Sequence, residues 1–390
     1  MRIFLVKKQN DFSPFREAAK RYNHFIIAYS GGKDSTAVAI YLYQWLREDK
    51  PNVKVSLLYN DTLSEVNLLE SWVRNFMTQF REKAGRYVEV ETRIAKPDIV
   101  KTFFWRVYVR GYPAPTFVFR WCVDNLKLEP MLKEMKNLNG AIIVTGQRDE
   151  ESGARATSMK KMYGSCMPGS CLGAFFTVNN EVPKLAPIRF WTTQDVWRFL
   201  LHKQKDFDIE PLVKLYGLDK DMLVSAVRRF GCWHCTLVKL HSALFSDKQY
   251  VYVEALRLVY KAVSDTKELR IPKQGGYSRL GPLTPLGRAI IYNLVPIVEE
   301  KSGHRFYGLD EVHIDNTTLR EIFYMLPEEV ADRIIKSVDS TDRWIGIRRL
   351  RKIDRTIYIQ VEDEIIKKIK ERDYLGIITD AAAQLLRELR

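Results

Sequence analysis

Residues 24–48, HFIIAYSGGKDSTAVAIYLYQWLRE, constrain the fold more than any other stretch. An apolar run ends at two glycines, and a helical pattern begins at once. HFIIAYS (24–30) reads as a buried strand. Ala37, Ile40, Tyr41 and Trp45 then recur at helical spacing, with Asp34 and Ser35 as candidate caps. The alternation continues downstream. VKVSLLYND (53–61) reads as a strand, LSEVNLLESWVRNFMTQFREKA (63–84) as an amphipathic helix, YVEVETRIA (87–95) as an alternating strand, and GAIIVTGQR (140–148) as a fourth strand. Strand–helix–strand repetition of this kind implies an α/β fold, with a mainly parallel sheet covered by helices on both faces.

After PIRFWTTQDVWRFLL (187–201) the strand signal fades, and residues 201 to 270 read as helices around RRFGCWHC. A Gly/Pro-rich stretch, IPKQGGYSRLGPLTPLG (271–287), marks a boundary or a functional loop. From Arg288 to Arg390 the pattern is mostly helical, with one short strand at RTIYIQVE (355–362). The expected organisation is an α/β domain over 1–200, a helical segment with a Cys-x-x-Cys over 201–270, and a mostly helical C-terminal region over 271–390 to which no role can be given.

A chain of 390 residues has room for two or three domains. No apolar run approaches the roughly 18 residues that a membrane span needs. The first residues, MRIFLVKK, hold too short an apolar stretch for a signal peptide, so a cytoplasmic location is expected. The formal net charge is +14, from 62 Lys and Arg against 48 Asp and Glu. Such an excess favours a polyanionic partner, because phosphates bound by Lys and Arg release their counterions. A generally basic surface without such a partner is an equal reading, although RRLRKIDR (348–355) is a local cluster. Five cysteines in a chain with no export signal argue against a disulfide framework.

A strand running into Ser-Gly-Gly-Lys-Asp-Ser and then a helix points several backbone N–H groups at one spot, an anion site by geometry and by dipole. Gly31 and Gly32 permit positive φ and close approach of the backbone to an oxyanion. Ser30 and Ser35 add hydroxyl donors, and Lys33 adds a point charge. Asp34 cannot stabilise a phosphate directly, so it is either a helix cap or a carboxylate on the metal side. The spacing does not fit the Walker P-loop, which has four residues between its first Gly and its Gly-Lys-Ser/Thr. The six residues in this setting instead resemble the PP-loop of the ATP pyrophosphatases. That family has an adenine nucleotide alpha hydrolase-like fold, cleaves ATP between the α and β phosphates, and adenylates a substrate.

Further blocks resemble one branch of that superfamily. YPAPTFVFRWCVDNLKLEP (112–130) is similar to the Arg-Trp-Cys…Leu-Lys block of the phosphoadenylyl-sulfate (PAPS) reductase family, and TGQRDEESGARA (145–156) to its Gly-x-Arg…Glu-Ser-x-x-Arg segment. RFGCWHCTLV (229–238) resembles a stretch of the DndC-type proteins of DNA phosphorothioation. The resemblance runs from residue 24 to about residue 240. It implies that Ser30, Gly31, Gly32, Lys33, Asp34 and Ser35 hold ATP phosphates with Mg²⁺, and that Asp61 and Thr62 lie near the ribose or adenine. Gly146 and Glu151 belong to the same nucleotide site, where Glu151 and Ser152 order the loop. Arg148 and Arg155 face phosphates, with Lys33 and Asp34 as their catalytic companions.

The Cys232-Trp-His-Cys235 pair admits a redox pair, a zinc site or an iron–sulfur cluster. A redox pair usually opens a helix in a βαβ unit, which is not seen here. Zinc or a cluster needs about two further ligands. Cys122, Cys166 and Cys171 are candidates, and His234 and His241 could serve zinc. The DndC-type resemblance implies a [4Fe–4S] cluster on Cys122, Cys232 and Cys235, with zinc as the alternative. The family's further cysteine, just upstream of its Cys-x-x-Cys, has no counterpart in DKDMLVSAVRRFG. Either Cys171, or Cys166 in its place, completes the set, or the site is altered or empty, with Cys122 a buried core thiol and Cys166 and Cys171 an incidental loop pair.

Taken together, the chain reads as an ATP pyrophosphatase-like enzyme of the PAPS reductase/DndC group. It would convert ATP to AMP and pyrophosphate in sulfur incorporation into nucleic acid, DNA being favoured, with sulfur-donor or complex proteins as partners. PAPS and APS reductases carry a catalytic cysteine near the C-terminus, whereas none follows Cys235 here, which disfavours thiol-based sulfonucleotide reduction unless an earlier cysteine takes that role. The alternatives are a sulfonucleotide reductase, a tRNA-thiolating enzyme, and a nucleic-acid-binding component that uses nucleotide only as a ligand.

Overall fold

The computed structural model describes residues 11–135, 140–151, 175–179, 182–216, 231–237, 250–266, 269–272, 280–306, 344–350, 355–360 and 373–388. Contacts divide the chain into two units: Met1–Asp61, Leu68–Lys96 and Pro130–Val227 form one, and Thr62–Asn67, Pro97–Glu129 and Arg228–Arg390 the other. The division does not follow chain order, since the chain leaves the first unit twice and re-enters it.

The first unit is built on a six-stranded sheet in the order β3-β2-β1-β4-β6-β5. Its strands are β1 (His24–Tyr29), β2 (Lys54–Asn60), β3 (Glu89–Ala95), β4 (Ala141–Val144), β5 (Phe176–Asn179) and β6 (Val182–Leu185). β1 pairs in parallel with both β2 and β4, β2 with β3, and β4 with β6; β5 alone runs antiparallel, on β6. This is the expected α/β fold with a mainly parallel sheet. Phe25, Ile26, Ile27 and Tyr29 of β1 are all buried, as the central strand of such a sheet requires. The order places a switch point between β1 and β4, whose connections leave the sheet in opposite directions; open α/β sheets bind ligands at such a crevice.

Helix α1 (Ser13–Ala19) precedes β1, and α2 (Lys33–Asp49) follows it. Every side chain from 35 to 46 in α2 is buried, so this helix is enclosed on all sides. It ends at Lys50 in the left-handed conformation, whose N–H donates to the Leu46 carbonyl. Helix α3 (Asn67–Ala84) is amphipathic instead: Leu69, Trp72, Val73, Phe76, Met77, Phe80 and Ala84 form its one buried stripe. Helices α4 (Thr193–His202) and α5 (Glu210–Leu215) complete the unit, α4 being opened by a capping box between Thr192 and Asp195.

Within the first unit His24 is buried, its Nε2 2.7 Å from the Ser56 hydroxyl. Burial lowers its pKa, and the Lys54 charge adds to that. The unfolded chain therefore takes up a proton near pH 6.5 that the folded one refuses. Stability should be complete above that pH and fall below it, by at most about 1.4 kcal/mol per pH unit from this group. Urea midpoints at pH 7.5 and pH 5.5 measure the fall, which His24→Gln should flatten.

The second unit is mainly helical in its described part, with α6 (Val251–Asp265), α7 (Pro285–Ser302) and α8 (Tyr374–Glu388) packed on one another. It also holds two antiparallel pairs: β7 (Arg270–Pro272) with β8 (Leu280–Leu283), and β9 (Trp344–Leu350) with β10 (Arg355–Gln360). The short strand expected at 355–362 is thus present as β10, and its partner β9 went unread. The core of this unit is aromatic: Phe103 lies 4.9 Å from Trp233, 4.2 Å from His234 and 5.5 Å from Tyr260, ring centre to ring centre. No described helix of the chain is long and apolar enough to cross a membrane.

Candidate nucleotide site and cysteine cluster

β1 delivers the chain to the switch point, and the turn that follows is built for close approach. Gly31 has φ +72°, a conformation that a Cβ would strain, and that Cβ would also lie 2.5 Å from Val73 Cγ2 and 2.9 Å from Leu69 Cδ1. The Gly31 carbonyl accepts from Trp72 Nε1 at 2.9 Å, which ties the turn to α3. Gly32 is the N-cap of α2, and no side chain caps the helix. The N-cap itself thus supplies no acceptor for the first-turn N–H groups of α2, of which that of Lys33 is taken by the Tyr216 hydroxyl at 3.2 Å. Inside the turn, Ser35 Oγ donates to the Gly32 carbonyl at 3.0 Å and accepts from the Ser30 N–H at 3.3 Å.

Asp34 and Ser35 were expected as caps, and neither serves as one. The Asp34 carboxylate is instead held between two cations, with Arg148 Nε donating to Oδ1 and Lys33 Nζ to Oδ2, each at 2.7 Å. An ion pair with a guanidinium outweighs a hydrogen bond to one helix N–H, so the side chain turns away from its own helix end. Arg148 itself is only 2% exposed. Its remaining donors reach Glu150 Oε2 and the Trp191 carbonyl, both at 3.0 Å, and Thr193 Oγ1 at 3.1 Å. Arg148 thus joins the end of β4 to the start of α2 and the start of α4.

Gly146 makes that junction fit. A Cβ there would lie 2.8 Å from the Asp34 carbonyl carbon, 3.0 Å from its oxygen and 3.0 Å from the Ser35 nitrogen. Ser30, Gly31, Gly32, Lys33, Asp34, Ser35, Gly146 and Arg148 therefore come together in the first unit. Asp61 stands at the end of β2, its N–H bonded to the Ala95 carbonyl and its carboxylate 3.6 Å from Lys96 Nζ. Thr62 belongs to the second unit. The backbone of Glu151 closes a short 3₁₀ turn, but its side chain, together with Ser152 and Arg155, lies outside the described residues. Sequence reasoning missed Trp72, Glu150, Thr193 and Tyr216; each meets a partner far away in the chain, Glu150 by accepting from the Thr193 N–H, and no local pattern marks it.

In the second unit, Thr62 Oγ1 lies 3.2 Å from Cys232 Sγ and donates to Glu65 Oε1 at 2.7 Å. The Cys232–Cys235 segment was expected in a helical context and is a turn, closed by the Cys235 N–H on the Cys232 carbonyl at 3.0 Å. Outside contacts set its path. The Trp233 N–H donates to the Ser64 carbonyl at 2.8 Å, and Arg257 Nη1 to the Cys235 carbonyl at 3.1 Å. Cys122, Cys232 and Cys235 share one electrostatic neighbourhood with Lys127 and Glu65. Burial pushes the Cys232 thiol up to about 12, against the opposing Lys127 charge, and burial followed by the charge of Cys235 pushes Cys122 up to about 11. The charges of Cys232 and then Glu65 raise Lys127 in turn, against desolvation.

Among the described residues no three His, Cys, Asp or Glu side chains are arranged to hold a metal ion. Cys166, Cys171 and His241 lie outside the described residues. His234 is buried and stacked on Phe103 and Trp121.

Comparison with known proteins adds three findings. The family model described as the phosphoadenosine phosphosulfate reductase domain matches residues 24–238. The uncharacterized protein MJ0066 of Methanocaldococcus jannaschii is 26% identical over 219 residues, which are 55% of this chain and 36% of that protein. The chain thus spans little more than a third of that relative's length. The crystal structure of phosphoadenylyl-sulfate (PAPS) reductase from Candida auris, a phosphate complex, is 15% identical with a TM-score of 0.33, covering 50% of this chain and 79% of that one. A likeness of that size adds nothing to the family match.

Proposed function

The chain belongs to the phosphoadenosine phosphosulfate reductase domain family, and from that premise we propose that it is an ATP pyrophosphatase-like enzyme that adenylates a nucleic-acid acceptor for sulfur incorporation. The observation that carries this reading is the turn at residues 30–35. Its two glycines, its uncapped helix N-terminus and the Lys33–Asp34–Arg148 array lie together at the switch point of the sheet. A triphosphate there would meet the first N–H groups of α2 and the Ser30 and Ser35 hydroxyls, with Lys33 turning its ammonium from Asp34 to a phosphate oxygen.

An oxygen of the acceptor attacks the α-phosphorus. The bond from that phosphorus to the bridging oxygen breaks, and its electron pair leaves on pyrophosphate. Donors held by the turn would lower the barrier by meeting the charge that develops on that oxyanion. Arg155 would help neutralise the leaving group. Arg148 is a positioning residue, which holds the Asp34 carboxylate in place. Mg²⁺, held by Asp34, would neutralise phosphate charge when bound. Asp61 and Thr62 would lie near the ribose or adenine, with Gly146 and Glu151 completing the nucleotide site.

Cys122, Cys232 and Cys235, with Cys171 or Cys166, would hold a [4Fe–4S] cluster, zinc being the alternative. The described residues do not by themselves form such a site: no three of them are arranged to hold a metal, and burial favours the neutral thiols of Cys122 and Cys232, so the further cysteine and loss of the thiol protons on binding would be needed. Such a cluster would supply a sulfur-transfer or structural centre. Anaerobic purification followed by iron, sulfide and zinc analysis tests this, and Cys232→Ser should lose most of the bound metal. Metal retained in full by that variant would remove Cys232 from the site.

The family name itself favours a second reading, in which a sulfonucleotide occupies the same turn and is reduced. The two are separated by product: pyrophosphate and AMP from ATP, or sulfite from PAPS or APS with a thiol donor.

A further inference from the structure

From Ile99 to Val123 the chain carries Lys101, Arg106, Arg110 and Arg120 and not one carboxylate. Within this cationic stretch, all of it in the second unit, residues 116–120 form a loop that closes on itself. The Thr116 N–H donates to the Phe119 carbonyl at 3.2 Å, and the Phe119 N–H to Thr116 Oγ1 at 3.1 Å. The closure fixes the backbone and leaves the apolar tip outside: Phe117 is 74% exposed, Val118 97% and Phe119 43%. Burying such side chains is favourable, so displaying three in succession is a sign of a partner.

The cations beside the tip decide which partner. The Arg120 guanidinium lies over the Phe117 ring, 5.5 Å from its centre. The Phe119 ring is 5.8 Å from Tyr112, which carries the Arg106 guanidinium 5.1 Å from its own centre and meets Trp121 edge-on. Aromatic faces alternating with guanidinium planes are what unpaired bases stack on. Arg110 and Arg120 are exposed, and among the described residues neither forms an ion pair. A carboxylate-free stretch of this kind suits a phosphate backbone, in keeping with the +14 charge of the whole chain.

We propose that residues 116–120 form a base-stacking platform for single-stranded nucleic acid, with Phe117 and Phe119 taking bases and Arg110 and Arg120 taking phosphates. The proposal rests on the reading of the acceptor as nucleic acid and says where that acceptor is gripped. Because Cys122 follows Arg120 by two residues, a strand held here is brought to the cysteine-bearing segment.

Fluorescence anisotropy of a labelled oligothymidine with the full, anaerobically purified chain tests the platform. The Phe117→Ala/Phe119→Ala double variant should bind at least about 30-fold more weakly. Arg120→Ala should reduce the slope of log affinity against log salt by about 0.7. The exposed sites leave the fold intact, checked by an unchanged thermal midpoint, and ATP affinity should not move. Equal binding by the wild type and the double variant, or no binding by either, overturns the proposal. So does a double variant that keeps its oligothymidine affinity but no longer sediments with phosphatidylglycerol vesicles, since the tip would then serve a membrane surface. A wild type that releases pyrophosphate from ATP while binding oligothymidine no better than the double variant sinks the platform alone. One that binds through the loop but never cleaves ATP sinks the enzyme reading alone.

Discussion

Gly146→Ala is expected to abolish ATP binding while leaving most of the fold in place. The added Cβ would stand 2.8 Å from the Asp34 carbonyl carbon and 3.0 Å from the Ser35 nitrogen, and these are backbone atoms that cannot swing aside. The start of α2 must move instead, and with it the N–H groups and the Lys33–Asp34 pair of the proposed phosphate turn. Overpacking of this kind costs about 1–3 kcal/mol in stability, which a unit of this size survives. The loss of affinity should be far larger than that cost suggests, since a displaced helix end loses several hydrogen bonds to phosphate together. Calorimetry with an ATP analogue bridged by methylene between its α and β phosphates measures the loss, and circular dichroism reports the retained fold. Wild-type affinity in this variant would show that the contact between residue 146 and α2 does not shape the site.

Arg148→Ala should be the most destabilising single change in the proposed nucleotide site. It removes a buried guanidinium that binds Asp34, Glu150, Thr193 and the Trp191 carbonyl at once. Breaking a buried pair by deleting one partner costs on the order of 3–5 kcal/mol. Here the lower end applies, because Glu150 is about half exposed and solvent can take over its charge. Arg148→Lys should rescue little, since an ammonium cannot span acceptors arranged for a fork. Adding Asp34→Asn to Arg148→Ala should restore part of the stability and none of the nucleotide binding. Chemical denaturation of the three variants reads the first effect, and the same calorimetry reads the second. A stability unchanged by Arg148→Ala would mean that the junction of β4, α2 and α4 does not depend on this side chain.

The parts of this molecule that could be read in advance are those whose cause is local. β1 shows itself as an unbroken apolar run, and α3 as a stripe at three- and four-residue spacing, because burial on two faces or on one leaves those periods in the sequence. The β5–β6 hairpin went unread: its strands are only four residues each, and Pro183 interrupts the second. Distance along the chain hid the rest. Asp34 follows a glycine turn and so reads as a cap, until Arg148, 114 residues later, claims it. Tyr216 meets the Lys33 N–H from 183 residues away, and nothing near Tyr216 announces it. At Cys232–Cys235 the local pattern suggests helix, whereas the Ser64 carbonyl and Arg257 draw the segment into a turn. The PP-loop resemblance found the turn because its own residues carry its chemistry; the residues that aim it are scattered.

The central claim is that this turn serves cleavage of ATP at the α-phosphorus. It is tested most directly by following ATP labelled at the α-phosphate with the anaerobically purified chain, Mg²⁺ and single-stranded DNA. Labelled AMP, free or joined to the acceptor, should form with an equivalent of pyrophosphate, and Lys33→Ala should suppress both. Formation of ADP and phosphate, or cleavage undiminished in Lys33→Ala, would contradict the claim.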